Sequence, residues 1–327
     1  MSAAMWRLRC CCSLVFFVLP LTTQANFTTD FSQFLDHSFG PSVRASLERT
    51  DLGSDASIGG RSHATEAVER DPVIIVHGVT NKVQRFFGMR DFLVGKNYTS
   101  AEIYGTTYGD AGATMAIFVR MQCDYVRQIR RMIMAVHKYT NRKVAILAYS
   151  LGSPIARKAI MGGYCVGTTQ NLGYNIGALV RTFVSIAGAN YGSQFCIIPF
   201  GICNSLDGLH CHSKFLVKCN ATPKHGALSL FLSFQNDVNR QPGRYEADRT
   251  FSLLSMHDDK VGFKCCETEC ARLRSSQKNF TFPTLTHDQM MDETMDLQYR
   301  LVSGGGGGVD GDDDEEEGRD TLSTPIF

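Results

Sequence analysis

The stretch KVAILAYSLGSP, residues 143–154, decides how this chain is read. An apolar run from Val144 to Tyr149 stops at Ser150, and helix-compatible sequence follows from Ser153. A buried strand that turns sharply into a helix at a serine is the setting of a nucleophile elbow. Such a turn strains the serine backbone and lifts its Oγ off the sheet. The helix start behind it supplies free amides and a positive dipole end. The usual pattern is G-x-S-x-G, but here Ala148 takes the first glycine position and Gly152 keeps the second. Both positions must be small because backbones crowd there, and one methyl group still meets that need. The competing reading is a serine that only caps a helix, so the rest of the chain must decide.

Outward from this stretch, apolar runs alternate with helical periodicity. Residues 72–78 (PVIIVHG) read as a buried strand closed by glycine, and 101–109 (AEIYGTTYG) as a weaker one. A long helix is expected over 114–139, with Ile117, Met121, Tyr125, Ile129, Met132, Ile133 and Val136 near one face. A helix over 153–161 follows the elbow, then strands over 180–189 and 249–256, and a final helix over 287–301. This alternation implies an α/β fold with a mostly parallel sheet and helices on both faces. In such sheets the chemistry gathers at the carboxyl ends of the strands.

Those ends carry a constellation in chain order. A hydrolase triad of this architecture runs serine, then an acid after a later strand, then histidine. After 249–256 come Asp258 and Asp259, either of which reaches the strand end, and the single histidine downstream of them is His287. His287 would take the Ser150 proton as the oxygen attacks a carbonyl, and an aspartate would orient the imidazole. The oxyanion needs two backbone donors. They are expected at Leu151, after the nucleophile, and at Val79, in the loop after the first core strand. His77 reads as a prop for that loop.

The N-terminus carries only Arg7 and Arg9 as charges before Asp30, an apolar block over 13–21, and small residues ending at Ala25. Residues 1–25 therefore read as a secretory signal, too short to span a bilayer comfortably. Four N-x-S/T sites, Asn26, Asn97, Asn220 and Asn279, fit an extracellular glycoprotein. Of twelve cysteines, nine lie beyond the signal and would mostly form disulfides, with Cys123 and Cys165 one candidate pair. Residues 26–70 read as an irregular lead-in with room for one short helix, and 191–241 as a Cys-rich insertion. Residues 303–327 read as a Gly-rich linker and an acidic, disordered tail. Without the two signal arginines and the tail's eight acids and one arginine, 30 basic face 24 acidic residues, so the folded part is mildly basic. The full chain's net charge of +1 argues against a nucleic-acid partner. No later stretch reads as a transmembrane span, and no nucleotide or redox cofactor motif follows a strand.

The segments PVIIVHGVTN, EIYGTTYGDAG, KVAILAYSLGSPIARKAIMGG, TFVSIAGANYGS, HDDKVG and LTHDQMM together resemble the class 2 lipase family, most closely its secreted animal branch abundant in nematodes. The resemblance covers roughly 71–302. It implies an α/β-hydrolase fold, an A-x-S-x-G elbow at Ser150, a base at His287, and an S-x-x-D-x-x-V-G stretch that selects Asp258. It also implies action on carboxylic esters of lipids. The stretches at 218–239 and 264–270 depart from the family pattern, the second by its three close cysteines.

Alternatives stand beside this reading. Cys203, His210, Cys211, His212 and Cys219 form a Cys/His cluster, but their spacing fits no zinc pattern and disulfides are expected. The run SLFLSF (229–234) reads as a core helix or, alternatively, a lipid-contact surface. The function could instead be a small-ester esterase or thioesterase, or a non-catalytic lipid-binding or interaction protein on the same fold.

Overall fold

The strand Val144–Tyr149 is buried along its whole length. Its side chains alternate across the sheet. Val144, Ile146 and Ala148 enter one hydrophobic cluster, while Ala145, Leu147 and Tyr149 enter a second on the other face. Continuous apolar sequence is what a strand covered on both sides requires.

The computed structural model describes residues 26–216, 238, 243–265 and 267–304. Its strands in chain order are β1 (Ser57–Ile58), β2 (Val73–Val76), β3 (Ile103–Thr106), β4 (Val144–Tyr149), β5 (Val180–Ile186), β6 (Arg249–Ser255), β7 (Lys264–Cys265), β8 (Thr268–Glu269) and β9 (Lys278–Phe282). Seven of them form one sheet in the order β1-β3-β2-β4-β5-β6-β9, while β7 and β8 pair separately as a hairpin. Only β1 runs antiparallel within the large sheet. The helices are α1 (Thr29–Phe39), α2 (Pro41–Glu48), α3 (Phe87–Gly95), α4 (Cys123–Thr140), α5 (Gly152–Met161), α6 (His287–Asp292) and α7 (Met295–Val302). Residues of α1, α2, α4 and α5 pack into the first cluster, and residues of α3, α6 and α7 into the second. This is the α/β-hydrolase architecture expected above.

Four local expectations are corrected. Residues 26–70 are not an irregular lead-in. They hold α1, capped by Thr28 accepting from the Phe31 amide at 3.3 Å, then α2 and the edge strand β1. Phe31, Leu35, Val43 and Leu47 are buried with α4 residues in the first cluster. These helices are short and broken at Gly40 (φ 87°), so their apolar residues make a pattern only against α4.

The long helix begins at Cys123 rather than near 114. The preceding stretch holds a 3-10 turn at Ala116–Phe118. It is pinned by Met121 N–H donating to Asp207 O (2.9 Å) and by the Arg120–Asp207 ion pair (2.8 Å). Tertiary contacts there override helical periodicity.

The final helix is two helices: α6 ends at Asp292 and α7 begins at Met295, with Thr294 between them at φ −105° and ψ 16° and its Oγ1 donating to Met290 O. The strand β9 went unseen in the sequence because it is a half-exposed edge strand without a strong apolar run.

Disulfides join Cys123–Cys165, Cys196–Cys203 and Cys265–Cys270, and Cys211 is also disulfide-bonded. The expected Cys123–Cys165 pair is present. The bonded sulfurs of Cys203 and Cys211 are not thiolate ligands, and no metal-holding group of residues occurs among the described residues. Cys219, Asn220, SLFLSF, the signal segment and the acidic run lie outside the described residues.

Candidate active site

Each site residue stands at the carboxyl end of a strand or at the start of a helix. Ser150 follows β4 at φ 54°, a left-handed conformation that costs about 1 kcal/mol or more for a non-glycine residue. Its amide donates to Ile186 O (3.0 Å) and its carbonyl accepts from Ala189 (3.2 Å), so neighbouring backbone holds the strained turn. Behind it, a Cβ on Gly152 would lie 2.3 Å from His77 O and 2.7 Å from Val76 O. Only glycine fits. Ala148 instead points into the first cluster, where its methyl is packed. The two flanks of the elbow are therefore not equivalent, and the A-x-S-x-G pattern has a geometric cause.

His287 is the first residue of α6, placed there by a capping box in which Thr286 and Gln289 exchange side-chain and backbone bonds. Its Nε2 lies 2.9 Å from Ser150 Oγ, and its Nδ1 lies 2.7 Å from Asp258 Oδ2. All three residues are buried. Burial pushes the Asp258 carboxyl up, but the bond and charge of His287 and the amides of Val261 and Lys260 outweigh it, so its pKa lies below the ordinary value. Asp258 is thus an ionised acceptor. Nδ1 then carries the imidazole proton, and Nε2 is free to accept from Ser150 Oγ.

The acid loop explains each fixed residue of the S-x-x-D-x-x-V-G stretch. Asp258 Oδ1 accepts from the amides of Lys260 (3.0 Å), Val261 (2.7 Å) and Gly262 (3.3 Å). Gly262 supplies the φ of 88° that closes this nest. Ser255 Oγ donates to Leu285 O and accepts from the His257 amide at 2.9 Å, which ties the acid loop to the histidine loop. Asp259 acts on the backbone instead, where its Oδ1 accepts from the amide of His287 (3.0 Å). One aspartate holds the ring and its neighbour holds the main chain.

The loop after β2 lies against the serine, since a Cβ on Gly78 would sit 3.0 Å from Ser150 Cβ. Neither the Val79 nor the Leu151 amide donates to a protein acceptor among the described residues. His77 supports this loop. Its ring stacks on Tyr108 with centroids 4.0 Å apart. Nε2 accepts from the Tyr108 amide (3.0 Å), so Nδ1–H donates to Gly78 O (2.7 Å). Burial lowers its pKa to about 4, which keeps it neutral.

Sequence reasoning missed Tyr149 and Asp288. The Tyr149 hydroxyl donates to Asp288 Oδ1 (2.8 Å), its ring lies 4.9 Å from that of His287, and Lys260 pairs with Asp288 at 2.6 Å. Tyr149 lies beside Ser150 in sequence, but nothing in the pattern tells which way its ring turns.

Two exposed apolar segments rise from loops that touch this site. Gly112 packs on Thr80, next to Val79, and Met115, Ile117 and Phe118 follow it. Gln194 N–H donates to Val261 O (2.9 Å), and Phe195, Ile197, Ile198 and Phe200 follow. Ile197, Ile198 and Phe200 are 82, 74 and 68% exposed, and Phe118 meets Phe200 edge to face at 6.4 Å.

Residues 70–300 match the family model of the class 2 lipases. Among solved structures, the mature form of a Bacillus licheniformis lipase is 15% identical, with 76% of this chain and 97% of that chain covered and a TM-score of 0.50. Lipase B of Aspergillus fumigatus is 13% identical over 87% of this chain and 60% of its own, with a TM-score of 0.48. At such identity the first of these likenesses speaks to the fold alone. No curated protein matches the sequence.

Proposed function

The chain belongs to the class 2 lipase family, and on that premise we propose that it cleaves carboxylic esters of lipids through an acyl-enzyme on Ser150. Membership makes it a carboxylic ester hydrolase. The observation that carries the mechanism is the continuous Ser150–His287–Asp258 relay, at 2.9 and 2.7 Å, on a left-handed elbow. His287 Nε2 accepts the Ser150 proton as Oγ attacks the ester carbonyl. The imidazolium formed is stabilised by ionised Asp258. The Val79 and Leu151 amides receive the oxyanion, and such donors are each worth about 10²–10³ in rate. The leaving alcohol takes the proton from His287, and water then repeats the sequence to release the acid.

A lipid rather than a small soluble ester is favoured by the apolar surface that Phe118 and Phe200 join beside the site. Contiguous exposed apolar area of this kind marks an interaction surface. Among the described residues no helix is long and apolar enough to cross a membrane. The signal-like residues 1–25, the disulfides and the exposed Asn97 and Asn279 support a secreted glycoprotein, and the motif sequences support the nematode-type branch. The chain is then a signal over 1–25, a hydrolase unit that includes the N-terminal helices, and a Gly-rich, acidic tail over 303–327.

Labelling the secreted protein with a fluorophosphonate, followed by peptide mapping, tests the nucleophile. Modification at Ser150 that vanishes in Ser150→Ala supports it, and a folded protein that does not label overturns it in favour of a non-catalytic role. A chain-length panel of esters then separates lipase from small-ester esterase or thioesterase. N-terminal sequencing of the secreted chain should begin at Asn26.

A further inference from the structure

Each member of the candidate triad has a near neighbour in the chain whose side chain turns to one shared place. Beside Ser150 stands Tyr149, beside His287 stands Asp288, and two residues after Asp258 stands Lys260. The Tyr149 hydroxyl donates to Asp288 Oδ1 at 2.8 Å, and Lys260 Nζ donates to Asp288 Oδ2 at 2.6 Å. The same hydroxyl lies 3.3 Å from His287 O, and the Lys260 amide donates to Asp258 Oδ1 at 3.0 Å. The end of β4, the start of α6 and the acid loop bring the triad together from three distant parts of the chain. Asp288 ties those three segments a second time, with side chains that the ester chemistry does not use.

We infer that Asp288 is a positioning residue for the ester hydrolysis: through Tyr149 and Lys260 it fixes the main chain of His287 relative to Ser150 and Asp258, and it sets a second carboxylate beside the imidazole. The inference rests on the Ser150–His287–Asp258 reading. An exposed ion pair by itself contributes little, and the Lys260 and Asp288 side chains are 53 and 52% exposed. What distinguishes this pair is its third member, a buried phenol one residue from the nucleophile. Burial first, then the bond to Asp288, pushes the Tyr149 hydroxyl well above its ordinary pKa, so it remains a donor. Burial pushes the Asp288 carboxyl up, but the bonds from Lys260 and Tyr149 and the charges of Lys260 and His287 outweigh it, so it lies below its ordinary value and is ionised. The other charges around the imidazole are Asp258 at Nδ1, Asp259 at the His287 amide, and Arg85 from the loop after β2, which pairs with Asp292 of α6 at 2.7 Å and feels the charge of Asp288. A misplacement of about 1 Å at such a site can cost about 10²-fold in rate, so a bond that holds the His287 main chain to the serine strand bears directly on the chemistry.

The test measures the rate of fluorophosphonate labelling at Ser150 and the hydrolysis of a short-chain ester in the full chain and its variants. Asp288→Ala should lower the labelling rate and kcat by about ten-fold or more, with KM and the thermal midpoint little changed. Tyr149→Phe keeps the ring and removes the donor, and it should also lower both rates. The double variant should be no slower than Asp288→Ala alone, because the two single changes break one shared bond. The pH profile of labelling supplies a readout that a purely structural role would not move. Asp288→Asn keeps an acceptor for Tyr149 but removes the negative charge, which disfavours the protonated imidazole. The acid-side half-point of labelling should therefore move to lower pH, by about 0.5 pH unit at low salt. Lys260→Gln removes the opposing positive charge and should move it to higher pH. Parental rates and profiles in the Asp288 variants overturn the proposal and leave an ordinary surface ion pair. A fall in rate matched by a fall in thermal midpoint, without the opposed pH shifts, assigns Asp288 to folding alone and overturns it too. A parental chain that does not label at Ser150 overturns the triad reading and this proposal with it, whereas labelling in the parent with indifferent variants refutes the role of Asp288 alone.

Discussion

The two ends of the one sheet are built on different principles. At the carboxyl ends, Ser150, Asp258 and His287 are nearly fully buried and each polar atom has a named partner at fixed distance. At the starting ends, the side chains of Arg70, Arg142 and Arg181 are 37, 38 and 46% exposed, with two of them sharing one carboxylate. Sharp turns and backbone amides define the first end; long, solvated side chains define the second. Short-range directional bonds make a site all-or-none, whereas screened charges add weakly and without strict geometry. Substitution should therefore act steeply at one end and gently at the other.

The steepest expected effect is at the proposed nucleophile, Ser150. Ser150→Ala or His287→Ala should lower kcat by roughly 10⁶-fold with the thermal midpoint little changed. Steady-state kinetics on a short-chain ester and a melting curve check both halves. Asp258→Asn should cost about 10⁴-fold, because it leaves the imidazole in the wrong tautomer. Asp259→Asn should be mild, since an amide oxygen can still accept from the His287 main chain. Similar losses at the two aspartates would break this division of labour.

Gly152→Ala comes next, with a methyl forced against two carbonyl oxygens. It should destabilise by about 3 kcal/mol, measured by denaturant unfolding. Ala148→Gly, on the other flank, should cost about 1 kcal/mol. If the two costs were alike, the asymmetry of the elbow would fail.

His77 gives a pH dependence. Its pKa falls from 6.5 to about 4 on folding, first through burial. The unfolded chain therefore binds this proton at higher pH than the native one. The stability that neutral His77 contributes is complete above about pH 6.5 and is lost as pH falls through 4, an order-of-magnitude change of about 3 kcal/mol. Unfolding free energies at pH 7.5 and pH 4 should differ by about that much more in the parent than in His77→Asn. The gentlest effect is expected at the arginine end: Arg181→Ala should alter stability by about 1 kcal/mol or less, with the difference shrinking in high salt.

Legibility in the sequence followed the strength of local signals. The strand β4 was bounded correctly because a doubly covered strand needs an unbroken apolar run, and Ser150 was visible because it interrupts that run. The S-x-x-D-x-x-V-G stretch is local in sequence and selects Asp258 through the family resemblance, and His287 is the single histidine downstream of it, so both could be named. The helices α1 and α2 and the strand β9 could not be found, since their apolar residues acquire a pattern only against α4 or β6. The parts played by Tyr149, Asp288 and Asp259 carry no signature at all, because their partners lie in other loops.

The sequence alone determined the strands β2 to β6, the helix α5, the elbow, the candidate histidine and two candidate aspartates. These depend on periodicity and on residues within a few positions of one another. Tertiary structure alone decided that Ser150, His287 and Asp258 meet within hydrogen-bond distance across 137 and 29 residues, that Gly152 admits no methyl while Ala148 does, and that Tyr149, Asp288 and Lys260 meet beside them. Those outcomes depend on which strands lie side by side, and packing and register, not local propensity, set that.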